Sequence, residues 1–350
     1  MELDVASIFM TKSVDDEFPT THGALALANL EAQINGIESV AATGRITLSD
    51  QAGFIDLVLL RGEVLARIVD YEWAEELANE LTRYAPVNGA ALLARARTRA
   101  TFHRFADAQS DLDEARRLGA DAAKVDAERA AIFQAIGQYE QALTLYIEAF
   151  ERRVDFNSLG DLATLHAECE EITTAERFFS ESRSCYRGVS PIPLAQLDFK
   201  RAHMWIVQGD LKRARSWLDS AVRLLPGYAP AQGHLAEVEA ALGATDSAIA
   251  RLRPLTISSD DPDYVAQMAH ILSQTACSKD AREWLDRATA RYIELVARHP
   301  EAYADHAAEF WLGVGADSHR ALGLAQKNFE VRPTRRAYEL LARIQHSVNA

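Results

Sequence analysis

No run of 18 uncharged apolar residues occurs in the sequence, so no membrane span is predicted. Positive charge is also scarce: 37 Lys and Arg against 51 Asp and Glu leave a formal charge of −14. Phosphate backbones and anionic membranes are held by clustered cations, so direct nucleic-acid or membrane binding is disfavoured. The balance fits a basic or neutral partner, or an acidity that only keeps an extended surface soluble. Cysteine is rare. Cys169, Cys185 and Cys277 are odd in number and scattered, which fits neither a disulfide framework nor a paired-thiol zinc site, and reduced, mostly buried thiols are expected. The opening segment "MELDVASIFMTKSVDDEFPTTHG" lacks a basic start and a continuous apolar core, so no secretory signal is read and a cytoplasmic location is expected. No phosphate loop after a strand, no GxSxG and no HExxH is present. The expectation is a protein without catalytic residues, metal or cofactor.

What is present is a spaced alanine. Ala74, Ala108, Ala142, Ala175, Ala214, Ala248, Ala281 and Ala321 follow one another at steps of 34, 34, 33, 39, 34, 33 and 40. Two helices of about 13 residues with short turns use roughly 34, so the spacing predicts a stack of helix pairs. A large side chain three residues before the anchor (Tyr71, Phe105, Tyr139, Leu211) closes each turn, and the anchor must be small for the two helices to cross closely. Twelve residues before it stand Gly62, Ala96, Ala130, Ala163, Ala202, Ala236 and Ala269; only the last unit, with Glu309, departs. Pro86, Pro226 and Pro333, twelve residues after an anchor, end second helices.

These residues resemble the tetratricopeptide repeat family. The resemblance implies an all-α, right-handed superhelical solenoid of antiparallel helix pairs, with about eight repeats over residues 55–334 and a capping helix at 335–350. Residues 1–20 are expected to be disordered, and 21–54 to form a capping helix and linker. The 39-residue step holds "YRGVSPIPLAQ", read as an insertion near 187–194, either harmless or facing a ligand. The 40-residue step holds a second helix lengthened over 281–299, whose end is expected to project and either pack on the last unit or form a homodimer contact.

The family implies a concave groove lined by first helices, at places 15 and 11 residues before each anchor. In the N-terminal units these are Leu59 and Glu63, Leu93 and Arg97, Ala127 and Ala131. Relatives that clamp the carboxylate tail of heat-shock chaperones use Lys, Asn and Arg there; only Arg97 remains here, which disfavours that partner. Further on, the places hold Gly160 and Thr164, Phe199 and His203, Gly233 and Glu237, Ala266 and His270, then His306 and Phe310. Arg97, Phe199, His203, Glu237, His270, His306 and Phe310 are the candidate binding residues, suited to an extended peptide or a partner helix. In "HAECEE", His166, Cys169 and Glu170 share a helix face, but no second ligand group is near in sequence, so no metal is assigned. The functional expectation is a non-catalytic protein- or peptide-binding adaptor. The alternative is a peptide-sensing regulator acting with a separate DNA-binding or enzymatic partner, because residues 1–54 are too few and too acidic for a helix-turn-helix unit.

Overall fold

The computed structural model describes residues 19–274 and 278–349. Residues 1–18 and Cys277, on which two expectations bear, lie outside the described residues. Among those described there are eighteen helices and no strand, and no helix is long and apolar enough to cross a membrane. After α1 (Gly23–Ala41) come eight pairs. They are α2 (Leu48–Leu65) with α3 (Ile68–Tyr84), α4 (Gly89–Thr101) with α5 (Phe105–Arg117), α6 (Ala122–Ala135) with α7 (Tyr139–Arg152), and α8 (Phe156–Glu168) with α9 (Ile172–Cys185). Next are α10 (Ile192–Val207) with α11 (Leu211–Leu224), α12 (Ala229–Ala241) with α13 (Thr245–Ser258), α14 (Pro262–Ser273) with α15 (Ser278–Arg298), and α16 (Pro300–Leu312) with α17 (Ser318–Val331). A final helix, α18 (Arg335–Asn349), packs on α16 and α17. The chain is an all-α solenoid of helix pairs.

Burial follows the repeat. Seven of the eight anchor alanines are fully buried and Ala281 is 7% exposed. The small residues opposite them are buried as well, and the glycine in the first unit has a local reason: a Cβ on Gly62 would lie 2.7 Å from the Tyr71 ring. In the last unit the connection between α16 and α17, Gly313 to Asp317, has five residues where Ile136 to Gln138 has three. The register of α16 therefore moves by one, and Ala308, fully buried, takes the crossing point in place of Glu309.

One expectation is corrected. Cys169 and Cys185 are exposed thiols, because they sit at the C-terminal ends of α8 and α9 and not on their packed faces. The long helix α15 packs on the last unit. Its Tyr292 stacks on Phe310 of the last unit at 4.7 Å, and Arg298 reaches Glu72 of the first unit at 2.7 Å.

That second contact belongs to a seam. The solenoid coils so tightly that the helix-to-helix turns of the early units meet the unit-to-unit connections of the late ones. Asp260 accepts from the backbone N–H of Ile68 at 2.7 Å and of Val69 at 3.2 Å, capping α3 from outside, where Arg67, the N-terminal neighbour of α3, supplies no side-chain cap. Ser259 Oγ donates to the Ala66 carbonyl. His299 stacks on Phe102 at 4.0 Å and meets Glu72 at 3.0 Å, while His103 Nδ1 lies 3.0 Å from the Glu301 carbonyl. Arg332 Nε donates to the Ala135 carbonyl at 3.2 Å, and Arg335 pairs with Glu170. Before α1, Thr21 donates through N and Oγ1 to the Val189 carbonyl, and Leu27 of α1 packs at Gly227, so the 187–194 segment helps to hold α1 in place. The backbone-anchored contacts span 192, 193, 197 and 198 residues, a nearly constant offset, which is the signature of one coil lying on the next.

Candidate binding surface inside the superhelix

First helices of neighbouring units touch one another (α2 with α4, α4 with α6, α8 with α10, α12 with α14), and α2 also meets α12 across the seam. They form an inner wall closed on itself. The side chains that face in lie 18, 14, 11 and 7 residues before the anchors. Arg97, His203 and Glu237 stand 11 residues before their anchors on this stripe, whereas the places at 15 stand one position away.

Arg97 is committed to the wall: it bridges Asp56 of α2 at 2.7 Å and Glu128 of α6 at 2.6 Å. His203 and His234 stand with ring centroids 5.9 Å apart, and Phe199 is half-buried against Tyr228 and His234. Burial, with His234 and Arg336 nearby, lowers the His203 pKa to about 4, so this imidazole is neutral at physiological pH. Glu237 is exposed to the interior and lies 3.3 Å from His234, whose hydrogen bond holds the carboxyl below its ordinary range. His306 Nδ1 meets Asp263 at 2.8 Å. Asp263 and Asp305 outweigh burial and raise the His306 pKa well above 6.5, giving a cationic imidazolium. Burial opposes the charge on Asp263, but His306 and Tyr292 prevail and hold its carboxyl at about 2.

Two candidates do not belong to this group. Phe310 is 5% exposed, a core residue between Tyr292 and Trp311, because the one-residue slip in α16 turns Glu309 inward in its place. His270 is exposed near the end of α14 and meets Gln274 of the same turn at 2.9 Å, away from the other imidazoles. His166 is taken by Glu171 at 2.7 Å and stacks on Phe178, and among the described residues no three His, Cys, Asp or Glu side chains converge as metal ligands.

Sequence reasoning missed Glu128, Asp161, Lys200, His234 and Asp263 on the inner wall. The signal was available: stepping three residues back from the correct stripe, as a helix of period 3.6 allows, reaches Glu128, Asp161, Lys200 and His234, and seven back reaches Asp263. A surface cleft lined by Asn79, Arg83, Leu92, Arg95 and Asp111 lies between α3, α4 and α5, on the outer side.

The ion pair at His306 sets a pH dependence. Its folded pKa exceeds the unfolded value near 6.5, so its stabilisation is fully present below that pH and is lost as pH rises through the folded value. Wild type is expected to lose more melting temperature between pH 6 and 9 than His306→Gln does. Parallel melting profiles for the two proteins would show that the imidazolium is not held.

A family profile described as tetratricopeptide repeat matches residues 207–271, which run from the end of α10 through α14. No curated protein matches the chain. Among solved structures, a monomeric mutant of IFIT1 with m7Gppp-AAAA shares 13% identity over 88% of this chain and 77% of that one, with a TM-score of 0.54. The APC/C hetero-tetramer Cut9–Hcn1 shares 13% identity over 90% of this chain at a TM-score of 0.46, and this chain spans 55% of the length of that one. Small residues at each helix crossing and eight stacked pairs make the chain a solenoid similar to tetratricopeptide-repeat proteins, and residues 207–271 match that family's profile.

Proposed function

We propose that this protein is a non-catalytic adaptor that binds a protein or peptide on its concave inner wall. Tetratricopeptide repeats are interaction scaffolds in general, and the observation that carries the reading here is the mixture on that wall. Phe199 offers apolar area beside His203, His234, Glu237 and Lys200, with the imidazoles and carboxylates set at one helical spacing over successive units. The IFIT1 structure holds m7Gppp-AAAA, but the formal charge of −14 and the inward carboxylates oppose a polyanion in this chain.

The test is affinity capture from the native cell, followed by calorimetry of the captured partner with two variants. Asp161→Asn/Glu237→Gln alters the inner wall, and Tyr84→Ala/Val87→Ala alters side chains exposed by 81% and 76%. The inner variant is expected to lose at least about 2 kcal/mol of binding while melting like wild type. A loss confined to the outer variant would move the site off the concave wall.

A further inference from the structure

We propose that a groove on the seam, where the first unit meets the sixth, binds a small amphipathic anion, a carboxylate or phosphate head on an apolar tail, and that this ligand holds the coil closed. The groove has a volume of about 840 Å³, within the range of small-molecule sites. Its walls come from both coils. Leu65 and Arg67, at the turn between α2 and α3, stand on one side, and Pro226, before α12, with Arg251, Pro254 and Leu255 of α13 on the other. The two walls are already tied beside Arg67, because Ser259 donates to the Ala66 carbonyl and Asp260 accepts from the Ile68 and Val69 amides. Since α13 is a second helix, the groove is separate from the inner wall and does not depend on what that wall binds.

Charge selects the ligand. Two guanidiniums and no carboxylate line the groove, in a chain whose formal charge is −14. The acids that answer these arginines, Asp70 and Glu239, are buried away from it. Both oxygens of Asp70 are held by the Arg61 fork at 2.9 and 2.7 Å, which leaves Arg67 an approach of 3.5 Å and, among the described residues, no hydrogen bond. Arg251 gives Nε and Nη2 to Glu239 and Nη1 to Gln232, so each of its terminal nitrogens keeps a second proton. An anionic head reaching Arg67 would receive charge-assisted bonds from an uncommitted guanidinium fork, with the second guanidinium in the same groove. Leu65, Pro226, Pro254 and Leu255 offer the tail apolar area to cover. Two cations are too few for a polyanion. A ligand touching both walls binds the closed coil better than an open one and therefore favours closure.

Titration calorimetry of the full chain with octanoate, octyl phosphate, acetate and octylamine tests the site. Octanoate or octyl phosphate, whichever head Arg67 prefers, is expected to bind at least about tenfold tighter than acetate. The same ligand is expected to bind at least about tenfold more weakly to Arg67→Gln and to Ala250→Phe, which fills the groove from an exposed place on α13, with both variants melting like wild type. Bound ligand is expected to slow hydrogen exchange at the Ile68 and Val69 amides. Binding unchanged in both variants, or octylamine binding lost equally in Ala250→Phe, would overturn the anion site. So would no binding of either eight-carbon anion at about 1 mM. Tight binding with unchanged exchange at the two amides would overturn the closing of the coil.

Discussion

Gly137→Ala is expected to destabilise the protein by about 2–5 kcal/mol, whereas Gly209→Ala, the same change at the same place two units on, is expected to cost only about 1–2 kcal/mol. Both glycines lie five residues before an anchor and hold left-handed backbone, with φ of 75° and 73°. Each substitution therefore meets the same steric cost of placing a Cβ there. The difference is the seam. A Cβ on Gly209 meets nothing within 4 Å, but one on Gly137 would lie 2.9 Å from the Pro333 carbonyl of the next coil. Non-glycine residues take the same left-handed place at His103 and Glu170, and each gains a contact across the seam, with the Glu301 carbonyl and with Arg335. Chemical denaturation of both variants, with small-angle scattering to detect an opened coil, makes the comparison. Equal losses and unchanged dimensions would mean that the seam adds nothing.

Asp198→Ala is expected to cost about 3–5 kcal/mol, the range found when one partner of a buried ion pair is removed. Asp198 is fully buried in α10, the helix that carries Phe199, Lys200 and His203, and ties it to both neighbours. Ser220 Oγ of α11 donates to its carboxylate at 2.7 Å, and Arg183 of α9 lies 3.5 Å away. Burial drives its pKa up to about 6 against the pull of Arg183 and Ser220. A raised folded pKa gives a stabilisation that is complete below the unfolded value near 3.8 and falls away as pH rises through about 6. Asp198→Asn keeps an acceptor for Ser220 and is expected to lose less stability and to flatten that part of the pH profile. If Asp198→Ala melts within a degree of wild type, α10 is held by its apolar contacts alone.

The part of this architecture legible in the sequence is the part built from side-chain size. An alanine such as Ala142 is required wherever two helices cross closely, so it recurs and can be counted. The seam left no such record, because several of its contacts end on a backbone atom, as at Ala66, Ala135 and Glu301, and any residue supplies a carbonyl. The extra length of α15 was readable, but its partner Glu72 stands more than 200 residues earlier and follows no period. The inner wall was read in part. Phe310 is a core residue because its place was counted back from Ala321 across a turn of five residues where the α6–α7 turn has three. His234 and Asp161 were missed because a helix face can be continued by three residues or by four, and only the packing of neighbouring first helices decides which.

Hydrogen exchange at the Ile68 and Val69 amides tests most directly whether the coil closes on itself. These N–H groups open α3, where no carbonyl of their own helix can reach them, and only Asp260, 192 and 191 residues away, accepts from them. The closed coil predicts strong protection at both amides in wild type and its loss at both in Asp260→Ala. Exchange at the rate of free helix ends in wild type would contradict it.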